Sequence, residues 1–238
     1  MTEGMSNRLS MDTIASDTVY GVFREEIKNR FLCTVNIDGS DTVCYIPSSC
    51  RLSNFINLTN RTVMLRPVKT KGARARYSVF AVKYRRGYVP LNLSGSNMVI
   101  KESLGRRLFS FLGARDEVFR ERMIDDYKSD LYIADTDTVI EIKSILSFSK
   151  EAIFPTVYSE RADGQLRDIA KLLADGHRVW YLLVSMYSGV DRISINSEQT
   201  TYYSLFRDCL NHGMKAAAFS LGMKKTEVYV KSRVALEI

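Results

Sequence analysis

Ten residues separate Asp130 from the tripeptide Glu141-Ile142-Lys143, and these residue types at this spacing can do chemistry together. On a strand, residues two apart point the same way, so Glu141 and Lys143 share one face while Ile142 turns into the core. If Asp130 lies on the neighbouring strand of a hairpin, its carboxylate meets that of Glu141. Two carboxylates that close repel each other unless a cation sits between them, and hard oxygen donors suit Mg²⁺ or Mn²⁺. The expected metal set is Asp130, Glu141 and Ile142. A divalent ion held there activates water and stabilises a phosphodiester in flight, and Lys143 orients that water or neutralises charge. Metal-dependent hydrolysis of nucleic acid is the matching reaction. The plainer alternative is a strand face whose charges simply meet water.

The surrounding sequence must supply the hairpin. Residues 129–134 and 138–146 read as strands flanking Asp135-Thr136-Asp137, a hairpin turn, and 152–158 as a further strand. Apolar residues at Met98, Val99, Leu104, Leu108 and Leu112 predict a helix over 97–112, capped by Asn97 and stopped by Gly113. A second helix is expected over 161–174, ending at Gly176. Residues 179–186 form a continuous apolar run, the pattern of a strand covered on both faces. Residues 200–211 read as a third helix, and 215–221 and 227–234 as closing strands. This order predicts an α/β domain with a mixed sheet over residues 93–238.

The front of the chain reads differently. Strands are expected over 30–35, 42–46, 62–67, 77–84 and 88–91, with turn signals such as Asp38-Gly39 between them. Five short strands suggest a small barrel of the oligonucleotide-binding (OB) type over residues 19–92, after a frayed tail at 1–18. Residues 1–92 hold 14 Lys+Arg against 7 Asp+Glu, so the front carries the whole net charge of +7. Between Phe55 and Ile100 there is no acid at all. Arg51, Lys69, Lys71, Arg74, Arg76, Arg85 and Arg86 are the candidates for phosphate contact. Tyr77, Phe80, Tyr84 and Tyr88 could stack bases, or could equally fill the barrel core.

Several classes drop out. With 45% hydrophobic and 26% charged residues the chain is too apolar for a disordered one. No apolar run approaches the roughly 20 residues of a spanning helix, and the first sixteen residues have no signal-peptide core, so no membrane partner is expected. Cys33, Cys44, Cys50 and Cys209 form no CxxC pair and lie far from His177 and His212, so zinc-ligand spacing is absent and reduced thiols in a cytoplasm are expected. His177, opening a buried strand, and His212, closing a helix, read as structural. Glu121 reads either as a further carboxylate near the metal or as the ion-pair partner of a nearby arginine.

Particular stretches resemble the sugar fermentation stimulation protein A (SfsA) family. Arg30-Phe31-Leu32-Cys33-Thr34-Val35, followed by Asp38-Gly39, is similar to the family's RFLxxV and xDG, and residues 46–52 stand where it has HxPNTGRL. Lys69-Thr70 with Tyr77 resembles RKTxY, residues 97–104 the NxLvxEAL helix, and Arg120-Glu121 through Asp130 keeps the REVxYGxSRxD spacing. Glu141-Ile142-Lys143-Ser144 resembles EVKS, Phe154-Pro155 FPDA, and Glu160-Arg161 TxRG. The likeness runs over about residues 20–221, with departures. Tyr45, Ser48, Ser49 and Cys50 replace His, Asn, Thr and Gly, while Lys128 replaces an Arg, Thr156 an Asp and Gln165 a His.

The resemblance implies an OB-type N-terminal domain joined to a nuclease-like domain of the PD-(D/E)xK class. It implies catalytic roles for Asp130, Glu141 and Lys143, puts Glu102 on the first helix of the nuclease core facing the site, and leaves Gln165 an amide that can hold a phosphate or water. The implied function is a DNA-binding protein with a metal-dependent nuclease-like site using Mg²⁺ or Mn²⁺. The alternative is a non-catalytic DNA-binding regulator of sugar metabolism genes. Expected partners are nucleic acid, DNA foremost, and a second copy of the chain in a homodimer.

Overall fold

Half-apolar, β-branched and aromatic segments divide the first ninety residues into strands, and their pairing shows how they close. In a computed structural model, which describes residues 18–27, 31–48 and 51–238, these are β1 (Val19–Glu26), β2 (Leu32–Ile37), β3 (Ser40–Tyr45), β4 (Thr62–Pro67), β5 (Tyr77–Tyr84) and β6 (Gly87–Pro90). They run in the order β3-β2-β1-β4-β5, and β3 pairs again with β5 in parallel through Cys44–Tyr77 and Tyr45–Ser78, closing a five-stranded barrel. β6 only extends β5 as a hairpin. The barrel's fifth wall is therefore β1, a strand the sequence reading omitted, and not the one expected over 88–91.

β1 escapes a pattern search because it buries only Gly21 and Phe23 and ends in the charged run Arg24-Glu25-Glu26. Gly21 is required by close approach: a Cβ there would lie 2.5 Å from Val35 Cγ1 and 2.7 Å from the Asn36 carbonyl oxygen. Cys33 and Cys44 face each other across β2 and β3, fully buried, and with Cys209 they are free thiols. Burial pushes the Cys44 thiol up to about 11 and that of Cys33 higher still, so both are packing groups and poor nucleophiles. Cys50 and the tail expected over 1–18, save residue 18, lie outside the described residues.

By its contacts the chain divides into two units, the first made of residues up to 53, 57–91 and 223–227, the second of residues 54–56, 92–222 and 228–238. The second unit contains α1 (Ser96–Ser103), β7 (Val118–Arg120), β8 (Met123–Ile124), β9 (Tyr127–Lys128), β10 (Leu131–Ile133), β11 (Thr138–Ile145), β12 (Glu151–Phe154), α2 (Glu160–Ala174), β13 (Arg178–Ser185), β14 (Arg192–Ile195), α3 (Thr200–Asn211), β15 (Lys215–Lys224) and β16 (Glu227–Glu237). Its eight-stranded sheet runs β12-β14-β16-β15-β13-β11-β10-β7. β11–β13 and β13–β15 are parallel, whereas β10–β11 and β10–β7 are antiparallel, so the sheet is mixed.

Both faces of this sheet are covered. Leu166, Ile169 and Leu172 of α2 and Tyr202 and Phe206 of α3 pack on Val139, Val179, Tyr181 and Leu183. On the other side Phe111 meets Trp180 at 4.4 Å and Phe109 stacks on Phe219 at 4.8 Å between ring centres. Phe109 and Phe111 come from a 3₁₀ turn over Arg107–Leu112, where a continuous helix from residue 97 was expected. The helix stops at Ser103 because Arg106 turns extended, letting the two halves bury different residues, Ile100 and Leu104 before the break and Phe109 and Leu112 after it. The strand expected over 152–158 likewise ends at Phe154. Among the described residues no helix is long and apolar enough to cross a membrane.

Candidate functional site

The β10–β11 hairpin brings the first acid to the second. Its register pairs Leu131 with Ile140 and Tyr132 with Val139, so one step further along the same antiparallel ladder Asp130 lies opposite Glu141. The ladder has no backbone partner left at that step, and the Asp130 carboxylate supplies one: Oδ2 accepts the Ile142 N–H at 2.7 Å. Oδ1 accepts from the Asn97 side-chain amide at 2.8 Å. Asn97 therefore does not cap α1, as the sequence suggested; the residue at that position is Gly95.

Glu141 has the parity of Val139 on β11, so its side chain points toward α2 and α3. It is 2% exposed, which removes the plainer alternative of a solvated face. The carboxylate accepts from the Tyr127 hydroxyl at 2.5 Å on Oε2, and from Lys143 Nζ at 2.7 Å and Gln165 Nε2 at 3.0 Å on Oε1. Lys143 Nζ also donates to Gln165 Oε1, so ammonium, amide and carboxylate close a three-membered ring of hydrogen bonds. Gln165 reaches the acids because α2 starts cleanly. Ser159 accepts the Ala162 N–H at 3.3 Å, and Glu160 and Asp163 occupy the first turn where the helix end favours negative charge.

Burial and the charge of Glu141 push the Asp130 carboxyl up to about 6, against the opposing pull of the Ile142 N–H, Lys143 and Asn97. Burial and Glu141 push the Tyr127 phenol upward, so it stays a donor. The buried Tyr181 and Tyr202 hydroxyls, 2.9 Å apart, are raised for the same primary reason. Two neighbouring carboxylates thus stand beside one ammonium, which bonds Glu141 and not Asp130, an arrangement short of one positive charge. Asp130 retains acceptor capacity on both oxygens and Glu141 on Oε2, each of these three atoms having taken only one hydrogen bond. Beside Asp130 a cleft of about 370 Å³ opens, lined among others by Lys128, Arg161 and Gln165.

The remaining candidates separate. Glu102 is exposed on α1, and no described hydrogen bond or ion pair joins it to the acids. Glu121 lines the cleft but takes the ion-pair alternative, with Lys128 Nζ at 2.5 Å and Arg120 at 4.0 Å; the Lys128 hydrogen bond holds its carboxyl below the usual range. Among the described residues no three His, Cys, Asp or Glu side chains come together as a metal site. His177 sits between Asp137 at 2.8 Å and Asp125 at 3.4 Å, and His212 Nδ1 meets the Asp208 carbonyl at the end of α3.

In the first unit Lys69, Lys71, Arg74 and Arg76 are exposed on the β4–β5 loop, while Arg85 and Arg86 are exposed on the β5–β6 turn, at the other end of β5. An eight-residue strand separates the two groups by roughly 23 Å. Arg51 is exposed next to Leu52 and Ser53, whose N–H groups bind the Glu26 carboxylate at 2.8 and 3.0 Å. Tyr77, Phe80, Tyr84 and Tyr88 are half-buried. Arg66 lies 3.4 Å over the Phe80 ring, and Tyr88 meets Tyr20 at 6.2 Å. Sequence reasoning missed Asn97 as a partner of Asp130 and Tyr127 as a partner of Glu141, since no spacing rule marks a lone amide or phenol.

Residues 94–227 match the family model described as the sugar fermentation stimulation protein RE domain, and residues 27–91 match that of the SfsA N-terminal OB domain. A sugar fermentation stimulation protein homolog of Caldanaerobacter subterraneus subsp. tengcongensis is 24% identical over 226 residues, covering 93% of this chain and 97% of the relative. One of Saccharophagus degradans is 27% identical over 216 residues, covering 86% and 92%. The solved structure of Pyrococcus furiosus SfsA in complex with Ca²⁺ is similar in fold, with a TM-score of 0.76 at 19% identity over 94% of this chain and 97% of that one.

Proposed function

Because the chain belongs to the SfsA family of sugar fermentation stimulation proteins, we propose that it is a DNA-binding protein that hydrolyses phosphodiesters at a Mg²⁺- or Mn²⁺-dependent site of the PD-(D/E)xK class. The observation that carries this reading is the placement of the half-buried Asp130 opposite Glu141, a buried carboxylate that accepts from the Lys143 ammonium. Their donor chemistry suits a small divalent ion, since Mg²⁺ is commonly held by one or two carboxylates together with waters and substrate phosphate. The Pyrococcus furiosus relative, a complex with Ca²⁺, supports a divalent ion of some kind. Asp130, Glu141 and the main-chain carbonyl of Ile142 are the groups that would hold it. When bound, such an ion supplies a Lewis acid and a water of lowered pKa.

The chain's own residues do the rest. Asn97 and the Ile142 N–H fix the Asp130 carboxylate from two sides, so it meets its ligand already oriented. Lys143 and Gln165 keep a donor pair beside Glu141, where an ammonium can steady an attacking water or a phosphate oxygen. Arg161 is the cation in the adjoining cleft suited to a strand's phosphate, while Lys128 there is paired with Glu121 and the acids Asp126, Asp130 and Asp168 complete the charged lining. In the barrel unit, the exposed lysines and arginines of the β4–β5 loop are suited to phosphate contact.

One observation favours the alternative, a non-catalytic DNA-binding regulator of sugar metabolism genes. The described residues gather only two carboxylates, and the Lys143 ammonium already commits two of its three donors to Glu141 and Gln165. Incubating the full chain with labelled single- and double-stranded DNA, with and without Mn²⁺, decides between the two. Mn²⁺-dependent cleavage is expected; metal-independent binding with no product would assign the protein to the regulators.

The metal site also predicts a pH dependence. Asp130 must lose its proton to act as a ligand, and its carboxyl titrates near 6 where the ordinary value is 3.8. Mn²⁺ affinity, read by calorimetry, is therefore expected to fall about tenfold per pH unit below 6 and to level off above it. In metal-free protein the sign is opposite for stability: the folded state holds this proton more tightly, so Asp130 favours folding below pH 3.8 and loses that contribution as pH rises through about 6. An affinity that stays flat from pH 5 to 7 would remove Asp130 from the metal set.

A further inference from the structure

The second unit holds a small cavity of about 120 Å³ between the first turns of α2 and α3, and none of its lining residues lines the cleft beside Asp130. At roughly 30 Å³ per water it has room for about four. Asn196 ties its two walls together: the Asn196 N–H donates to the Phe154 carbonyl at 2.8 Å, and its side-chain amide to the Pro155 carbonyl at 2.9 Å. We propose that this cavity binds one small α-amino acid as its zwitterion, with the ammonium on the Asp163 and Glu198 carboxylates and the carboxylate on the N–H groups that open α3.

An unmatched acid is the first sign. Asp163 is 3% exposed and lines the cavity, yet among the described residues no hydrogen bond or ion pair reaches its carboxylate. The one described side-chain atom that is both sealed from solvent and without a partner is Arg66 Nε, so the Asp163 oxygens open onto the cavity itself. A carboxylate withdrawn from bulk water calls for a cation or for donors. The protein brings no cation: no Lys, Arg or His is in the lining, and Glu198 adds a second acid. An ammonium brings donors and positive charge together.

Unmatched donors are the second sign. Gln199 holds the N-cap position of α3 without a side-chain hydrogen bond, and among the described residues the N–H groups of Thr200, Thr201 and Tyr202 meet no acceptor. All three residues line the same cavity. Free N–H groups at a helix start draw an anionic oxygen. A simple anion such as phosphate is repelled by the two acids, and a bare metal ion leaves the N–H groups without an acceptor. A molecule carrying both charges on neighbouring atoms answers both signs. The volume confines it to amino acids of about the size of glycine, alanine or serine.

Isothermal titration calorimetry on the full chain compares L-alanine with methylamine and with acetate, which carry one charged group each. L-Alanine is expected to bind at least about tenfold more tightly than either, since two charged contacts are made for one association cost. Asp163→Asn, which keeps the side chain's size, should weaken alanine at least about tenfold. Glu198→Gln, at an exposed position, should weaken it about threefold, in line with a screened contact. The comparison of the three probes on wild type needs no variant, so it decides the matter even where Asp163→Asn fails to fold. Equal affinity for methylamine, or a Ca²⁺ site that Asp163→Asn removes, would make this a cation site and overturn the proposal. Alanine binding left unchanged in both folded variants, or no binding at millimolar alanine, overturns it as well.

Discussion

Asp130→Ala is expected to reduce Mn²⁺-dependent cleavage of labelled DNA by at least about 10²-fold, while binding of the same DNA in metal-free buffer stays within a factor of two or so. The first half follows from removing one of only two carboxylates that would hold the ion. The second half follows because the phosphate-contact candidates on the β4–β5 loop belong to a different unit of the chain. The substitution also strips the Ile142 N–H of its acceptor, and an unsatisfied group of that kind costs about 1–3 kcal/mol. A thermal melt run beside the cleavage assay separates the two effects. Cleavage persisting at near wild-type rates in folded Asp130→Ala protein would take this acid out of the chemistry.

Lys143→Ala is expected to be the most destabilising single change at the site, by about 3–5 kcal/mol. Its side chain is 17% exposed and that of Glu141 3%, so the pair is little screened by solvent. Removing the ammonium leaves Glu141 a buried carboxylate with only the Tyr127 hydroxyl and the Gln165 amide for company. The cost belongs to that stranded charge, not to the ion pair as such. Adding Glu141→Gln to Lys143→Ala should accordingly recover most of the loss. Urea denaturation of the two variants beside wild type measures this; a single-variant loss below about 1 kcal/mol, the range of exposed pairs, would mean the site is wet.

How much of this was legible beforehand depended on whether a residue's role repeats along the chain. β4 and β5 occupy the expected residues 62–67 and 77–84 because each is a short apolar, β-branched and aromatic run, and α3 the expected 200–211 because it buries a periodic face. The Asp130–Glu141 juxtaposition was legible for a related reason: a hairpin turn between two strands fixes which residues lie opposite. β1 was not, since a strand at the centre of a barrel's pairing can be built around a glycine and a charged tail. Nor was the break at Arg106, where helical spacing continues in the letters while the backbone turns extended. Glu102, which the resemblance puts toward the site, is exposed on α1 with no described hydrogen bond or ion pair to the acids. Tyr127 and Asn97 came only from coordinates, because each acts once, through a contact that no period announces.

The hydrogen bond from Ile142 N–H to Asp130 has a bearing on ancestry. One oxygen pair both finishes a sheet and offers itself to a cation, so selection on shape alone suffices to retain it. Relatives without the proposed cleavage should keep this aspartate long after drift has rewritten Gln165, whose amide serves no strand. Among lineages that diverged after such a loss, the helix position is thus the better clock of lost chemistry, and the aspartate a relic preserved by architecture.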